Sequence, residues 1–149
     1  MGEPEDEYTT IQVGQATGEL VGGNLSLFTK LVCGKYAVNL QDKILFLEEL
    51  GFEAAPEMVN SNIYYLKQNG VFDKIAGLWI GNYEHPSKVS IEKIIKNAIG
   101  DEYKFPIIKS DNFGHIDKKI IIPIGTKAEI NTNEKIKIKF VEKCVDEGK

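Results

Sequence analysis

No apolar run in the 149 residues approaches the about 20 consecutive positions that a membrane-spanning helix needs. The N-terminus, Met1-Gly-Glu-Pro-Glu-Asp-Glu7, is acidic and lacks the apolar stretch of a secretory signal. These two absences predict a cytoplasmic protein with no membrane partner. Cysteine is scarce: Cys33 and Cys144 stand far apart, whereas a disulfide framework or a zinc ribbon needs more thiols at closer spacing. Both are expected to be reduced and partly buried, as free cysteines usually are. The only two histidines, His85 and His115, show no H-x-H or H-E-x-x-H spacing, so no metal site is expected. Basic excess is also missing. Eighteen Lys and Arg against 22 Asp and Glu give a net charge of −4, which offers no field for nucleic acid. The alternation Lys135-Ile-Lys137-Ile-Lys139 reads as the solvated face of a strand.

What remains is an ordinary globular composition, 42% hydrophobic and 27% charged, in a length that suits one domain with one sizeable core. Residues 1–10 are charged and poor in apolar anchors, and read as a flexible tail or linker; residues 11–149 read as the domain. Residues 11–21 are β-like, broken by Gly14 and Gly18, and Gly22-Gly23-Asn24 reads as a tight turn. Asn24 then caps a helix through Leu25, Leu27, Phe28 and Leu31 that Gly34 closes. The run Ile44–Leu47 reads as a buried strand ending at Glu48-Glu49. Pro56 opens a second helix with Val59, Ile63 and Leu66 on one face, stopped by Gly70. Ile75–Ile80 is a second buried strand, and Ser90 caps a third helix through Ile91, Ile94, Ile95 and Ala98. Strands follow at 105–108, 119–124, 128–130 and 135–141, with a hairpin turn at Asn131–Glu134. The order predicts an α/β domain whose sheet is partly parallel, with helices and an antiparallel meander at its C-terminal end.

Chemistry-bearing residues are few. Glu48 and Glu49 sit at the C-terminal end of a buried strand, the edge of an open α/β sheet where ligands and catalytic groups gather. Alternation sends them to opposite faces, so one alone enters any given site, which argues against a two-carboxylate glycosidase built from this pair. On spacing alone a solvated strand end is the plainer reading. His115, in the loop Asp111-Asn-Phe-Gly-His115, is aimed by a flexible Gly114 and has the titration range of a general base. Taken by itself it reads as a surface histidine. There is no G-x-S-x-G elbow, and Ser26 falls inside the first helix. The Gly22-Gly23 segment lacks the lysine of a phosphate loop, and no cofactor is expected.

Taken together, six segments give the chain a family resemblance. They are Thr17-Gly-Glu-Leu-Val-Gly-Gly-Asn-Leu-Ser26, Lys43-Ile-Leu-Phe-Leu-Glu-Glu49, Leu66-Lys-Gln-Asn-Gly-Val-Phe-Asp-Lys74, Ala76-Gly-Leu-Trp-Ile-Gly81, Asn112-Phe-Gly-His115 and Ile122-Pro-Ile-Gly125. In order and spacing they resemble the C-terminal domain of the LD-carboxypeptidase family, which includes the microcin immunity peptidases, over roughly residues 11–141. The resemblance implies a swivelling β/β/α-type domain from a cytoplasmic serine peptidase of about twice this length. A Rossmann-like N-terminal domain would supply the serine and oxyanion hole. This half would supply the Glu and His of a Ser-His-Glu triad, on Glu48 and His115. It further implies a peptide substrate, either a murein tetrapeptide or a microcin-type conjugate, a possible homodimer, and a chain that is inactive alone. The segment after the histidine, Ile116-Asp-Lys-Lys119, departs from the family pattern, whereas Gly70–Lys74 and Gly81–Glu84 are closer to the microcin-immunity branch. The alternative is a non-catalytic binding or dimerisation module that keeps the fold. A self-sufficient hydrolase using Ser26 would need that hydroxyl within reach of His115.

Overall fold

The computed structural model describes residues 8–143. Seven strands, β1 (Tyr8–Gln12), β2 (Gln15–Asn24), β3 (Ile44–Leu50), β4 (Gly77–Glu84), β5 (Ile107–Ser110), β6 (Lys127–Asn131) and β7 (Ile138–Phe140), form one mixed sheet in the order β1-β5-β4-β3-β2-β6-β7. Strands β2 to β5 are parallel neighbours, while β1, β6 and β7 are added antiparallel. Three helices link the parallel strands in turn: α1 (Leu25–Val32), α2 (Pro56–Gln68) and α3 (Ile91–Ile99). Each connection runs to the adjacent strand in the same direction. A right-handed crossover repeated in one direction puts every helix on the same face.

The two faces of the sheet therefore differ. Leu45, Leu47, Leu78, Ile80 and Ile107 meet the helices through Leu25, Phe28, Val59, Ile63, Leu66, Ile94 and Ile95. Each such side chain contributes about 1.5–3 kcal/mol by leaving water. The alternate positions Ile44, Phe46, Trp79 and Ile108 have no helix over them. They pack with Leu20, Ala128, Ile130 and Ile138, which β2, β6 and β7 bring round as the sheet curls, and with Phe113 from the loop after β5. That loop holds His115.

The helix starts follow the capping residues. Asn24 accepts from the Leu27 N–H and Ser90 accepts from the Lys93 N–H, while Pro56 opens α2. Several expectations need correction. Tyr8–Thr10, expected in the tail, pair with β5 and cover what would otherwise be an open sheet edge; residues 1–7 lie outside the described residues. Gly22-Gly23-Asn24 is the end of β2 and not a turn. A Cβ on Gly22 would lie 1.8 Å from the Phe46 carbonyl oxygen, so glycine is needed for β2 to approach β3. Segment 119–124 is not a strand: Ile120 and Ile122 turn into the second core as a strand's would, but the chain crosses that core as an irregular cover. The second buried strand runs Gly77–Glu84, the third Ile107–Ser110, and the last is shortened to Ile138–Phe140. Cys33 is exposed, because it ends α1 beyond the buried stripe of Leu25, Phe28 and Thr29; Cys144 lies outside the described residues.

Candidate active site at the tip of the third strand

The site begins with β3, which stays in the sheet three residues beyond its apolar run and carries Glu48 and Glu49 with it. Both carboxylates are buried rather than solvated, with Glu48 6% and Glu49 1% exposed. Alternation separates them. Glu48 lies on the Phe46 face, under the loop after β5, and Glu49 lies on the Leu47 face, beside the helices.

Phe113 anchors that loop. Its ring packs edge-on against Trp79 at 4.5 Å and Phe46 at 5.9 Å, and its carbonyl accepts from the Asn82 N–H at 2.9 Å. The Trp79 indole N–H donates to Ser110 Oγ at 2.9 Å, and Ser110 donates on to Asn112 Oδ1 at 2.6 Å. Gly114 follows at φ +120°, where a Cβ would press at 3.3 Å on Glu48 Cβ and Asn82 Cβ. This backbone delivers His115 to Glu48: Nδ1 lies 2.8 Å from Oε2, with the histidine side chain 55% and the glutamate side chain 8% exposed. A carboxylate only accepts, so the contact assigns the proton to Nδ1 and leaves the lone pair of a neutral imidazole on Nε2. No protein partner of Nε2 is found among the described residues. The buried carboxylate thus fixes ring orientation and tautomer, while the free edge of the ring faces outward.

Glu49 has a different task. Its carboxylate accepts from Asn24 Nδ2 at 2.5 Å, from the Ser26 N–H at 2.9 Å and from its neighbour Leu50 N–H at 3.1 Å. It ties the strand tip to the positive end of α1. Tyr83, paired in register with Glu49, keeps its phenol protonated: burial pushes its pKa well up, and the negative charges of Glu49 and Glu48 add to the effect. No single residue signalled this tie between Glu49, Asn24 and α1; a polar residue at the helix cap facing a second acidic residue at a strand end was its only trace in the sequence.

His115 opens onto a cavity of about 310 Å³ lined by Asn24, Ser26, Leu27, Lys30, Glu49, Leu50, Glu53 and His115. Ser26 shares the cavity, but its hydroxyl donates to Asn24 Oδ1 at 2.9 Å and makes no hydrogen bond to His115. His85 is elsewhere. It lines a separate space of about 220 Å³ beside Tyr83 and Ser90, and its Nδ1 accepts from the Ser87 N–H at 3.1 Å. Among the described residues no cluster of three or more His, Cys, Asp or Glu is placed to hold a metal ion, and no helix is long and apolar enough to cross a membrane.

Residues 17–130 match the family model described as the LD-carboxypeptidase C-terminal domain. The chain belongs to that family. Among its relatives is the probable murein peptide carboxypeptidase of Bacillus subtilis (strain 168), 32% identical over 146 residues, a match that spans 94% of this chain and 44% of the relative. The microcin C7 self-immunity protein MccF of Escherichia coli is 25% identical over 127 residues, covering 82% of this chain and 36% of its own length. Among solved structures, an MccF-like protein from Bacillus anthracis str. Ames superposes with a TM-score of 0.75 at 31% identity, over 88% of this chain and 41% of that one. The LD-carboxypeptidase C-terminal domain seen here thus spans less than half the length of these relatives.

Proposed function

We propose that this chain is the histidine- and glutamate-bearing half of a serine-type carboxypeptidase, with His115 as general base and Glu48 as the carboxylate that orients it. The observation that carries the reading is the 2.8 Å contact between His115 Nδ1 and a buried Glu48, with the half-exposed histidine lining an open cavity. In such a site Nε2 takes the proton of an attacking serine hydroxyl and returns it to the leaving amine, while the carboxylate stabilises the imidazolium. General-base catalysis of this kind contributes about 10²–10⁴-fold in rate.

The hydroxyl comes from a nucleophile domain outside this chain, and the chain alone is inactive. Support comes from the length of the relatives, from the absence of a serine elbow in the sequence, and from Ser26 being engaged with Asn24 rather than His115. The substrate class follows the relatives' names: a peptide with a free carboxyl end, of murein or microcin type. Leu27 and Phe52, 64% and 75% exposed, flank the same edge and form an apolar border for a covering domain.

The test joins the chain to the N-terminal part of the Bacillus subtilis relative and follows release of D-alanine from a murein tetrapeptide. Turnover by the fusion that His115→Ala and Glu48→Gln both abolish, with none from the separate chain, is expected. Turnover by the separate chain that disappears on His115→Ala would overturn the assignment of the nucleophile to another domain.

A further inference from the structure

A carboxypeptidase has to hold the terminal carboxylate of its substrate, and this chain contains no arginine with which to do so. The walls of the cavity beside His115 narrow the choice. The N–H groups at the start of α1 are already committed: Ser26 N–H to Glu49 and Leu27 N–H to Asn24 Oδ1. Lys30, one turn further along α1, is the one cation among the lining residues. It forms no ion pair with any described residue, whereas Lys43, Lys67 and Lys109 are each paired with a carboxylate. Two lining carboxylates, Glu49 and Glu53, differ in kind. Glu49 is buried and saturated by three N–H donors, and Glu53 is exposed. Among the lining side chains, the exposed Glu53 therefore repels an incoming anion and Lys30 attracts it.

We infer that Lys30 is the recognition residue for the free terminal carboxylate of the peptide, holding the scissile end beside His115 Nε2. The inference rests on the peptidase reading above. A lysine ammonium on a flexible stem suits this role, since it acts as a point charge and follows residues of different size. Because the side chain is solvent-exposed, its contribution is that of a surface ion pair, a few-fold in affinity rather than orders of magnitude.

The experiment titrates the 149-residue chain with N-acetyl-L-lysyl-D-alanine and, separately, with the same peptide amidated at its C-terminus, and reads the His115 ring resonances by NMR. The free acid is expected to bind about threefold to fivefold more tightly than the amide. Lys30→Met should weaken the acid to the level of the amide and leave the amide unchanged, while Lys30→Arg restores the preference. Equal binding of acid and amide, or an acid preference that survives Lys30→Met, overturns the assignment of Lys30 and leaves the peptide reading standing. If neither peptide moves the His115 resonances, the peptide reading fails and the role of Lys30 fails with it.

Discussion

Gly81 and Phe113 couple the central sheet to the loop that carries His115, and their contact gives a sharp prediction. A Cβ built on Gly81 would lie 2.5 Å from two atoms of the Phe113 ring and 2.8 Å from a third. Ordinary carbon contact begins near 3.5 Å, so the ring has to retreat by about 1 Å. It has little room to do so, because Trp79 and Phe46 already pack against it. Overpacking of this kind costs about 1–3 kcal/mol. At about 3 °C per kcal/mol for a domain of this size, Gly81→Ala should lower Tm by about 3–9 °C. The ring sits two residues before His115, and Gly114 between them lies so close to Glu48 that a Cβ there would be 3.3 Å from it, so the displacement is passed to the imidazole. Thermal unfolding followed by circular dichroism measures the first effect, and the His115 ring resonances report the second. In a Phe113→Leu background the same alanine should cost less by about 1 kcal/mol or more, since the obstructing ring is gone. A Tm within 1 °C of the parent chain together with unshifted His115 signals would refute this account of how the loop is aimed.

Other perturbations follow from the same geometry. Glu49→Gln should cost about 2–4 kcal/mol in urea unfolding, because an amide nitrogen replaces one acceptor oxygen and the charge that holds α1 is lost; a change below about 0.5 kcal/mol would show that the tie is incidental. Ser110→Ala strips the partner from the buried Trp79 N–H and should cost about 1–3 kcal/mol, with a shift in the fluorescence of the chain's only tryptophan. Tyr83 carries a buried hydroxyl with no hydrogen-bond partner among the described residues, so Tyr83→Phe should leave stability at pH 7 unchanged or slightly raised. The Tyr83 pKa is raised in the folded state, so above pH about 10 the unfolded chain loses a proton that the folded chain keeps, and stability falls as pH rises. Tyr83→Phe should flatten that alkaline fall in a pH series of denaturation midpoints.

Much of the architecture was legible because local signals agreed with the global fold. Asn24, Pro56 and Ser90 mark the helix starts where the helices begin, and the runs Ile44–Leu47 and Leu78–Ile80 are apolar because both faces of the sheet are covered there. The errors share a cause. Alternation at 119–124 shows that Ile120 and Ile122 turn inward, where they are partly buried, but it carries no information on whether a neighbouring backbone is there to pair with. Gly22-Gly23 has the composition of a turn, yet Gly22 is required by the close approach of β2 to β3, which only the tertiary structure reveals. The spacing of Glu48 and Glu49 foretold that their side chains diverge. It did not foretell that Glu49 would be consumed by a helix end, since Asn24 and Ser26 reach it only after β2 pairs with β3. The cavity wall formed by Lys30 and Glu53 was invisible for the same reason: it joins α1 to the turn after β3.

The central claim concerns one proton. If Glu48 holds His115 for proton transfer to and from a hydroxyl, the neutral ring carries its hydrogen on Nδ1 and offers Nε2 as the base. Nitrogen-15 NMR of the imidazole in the 149-residue chain, compared with Glu48→Gln, reads this directly. The account predicts the Nδ1–H tautomer in the parent chain and its loss, in favour of a mixture, in the variant. An Nε2–H tautomer in the parent chain, or spectra that Glu48→Gln leaves unchanged, would contradict it.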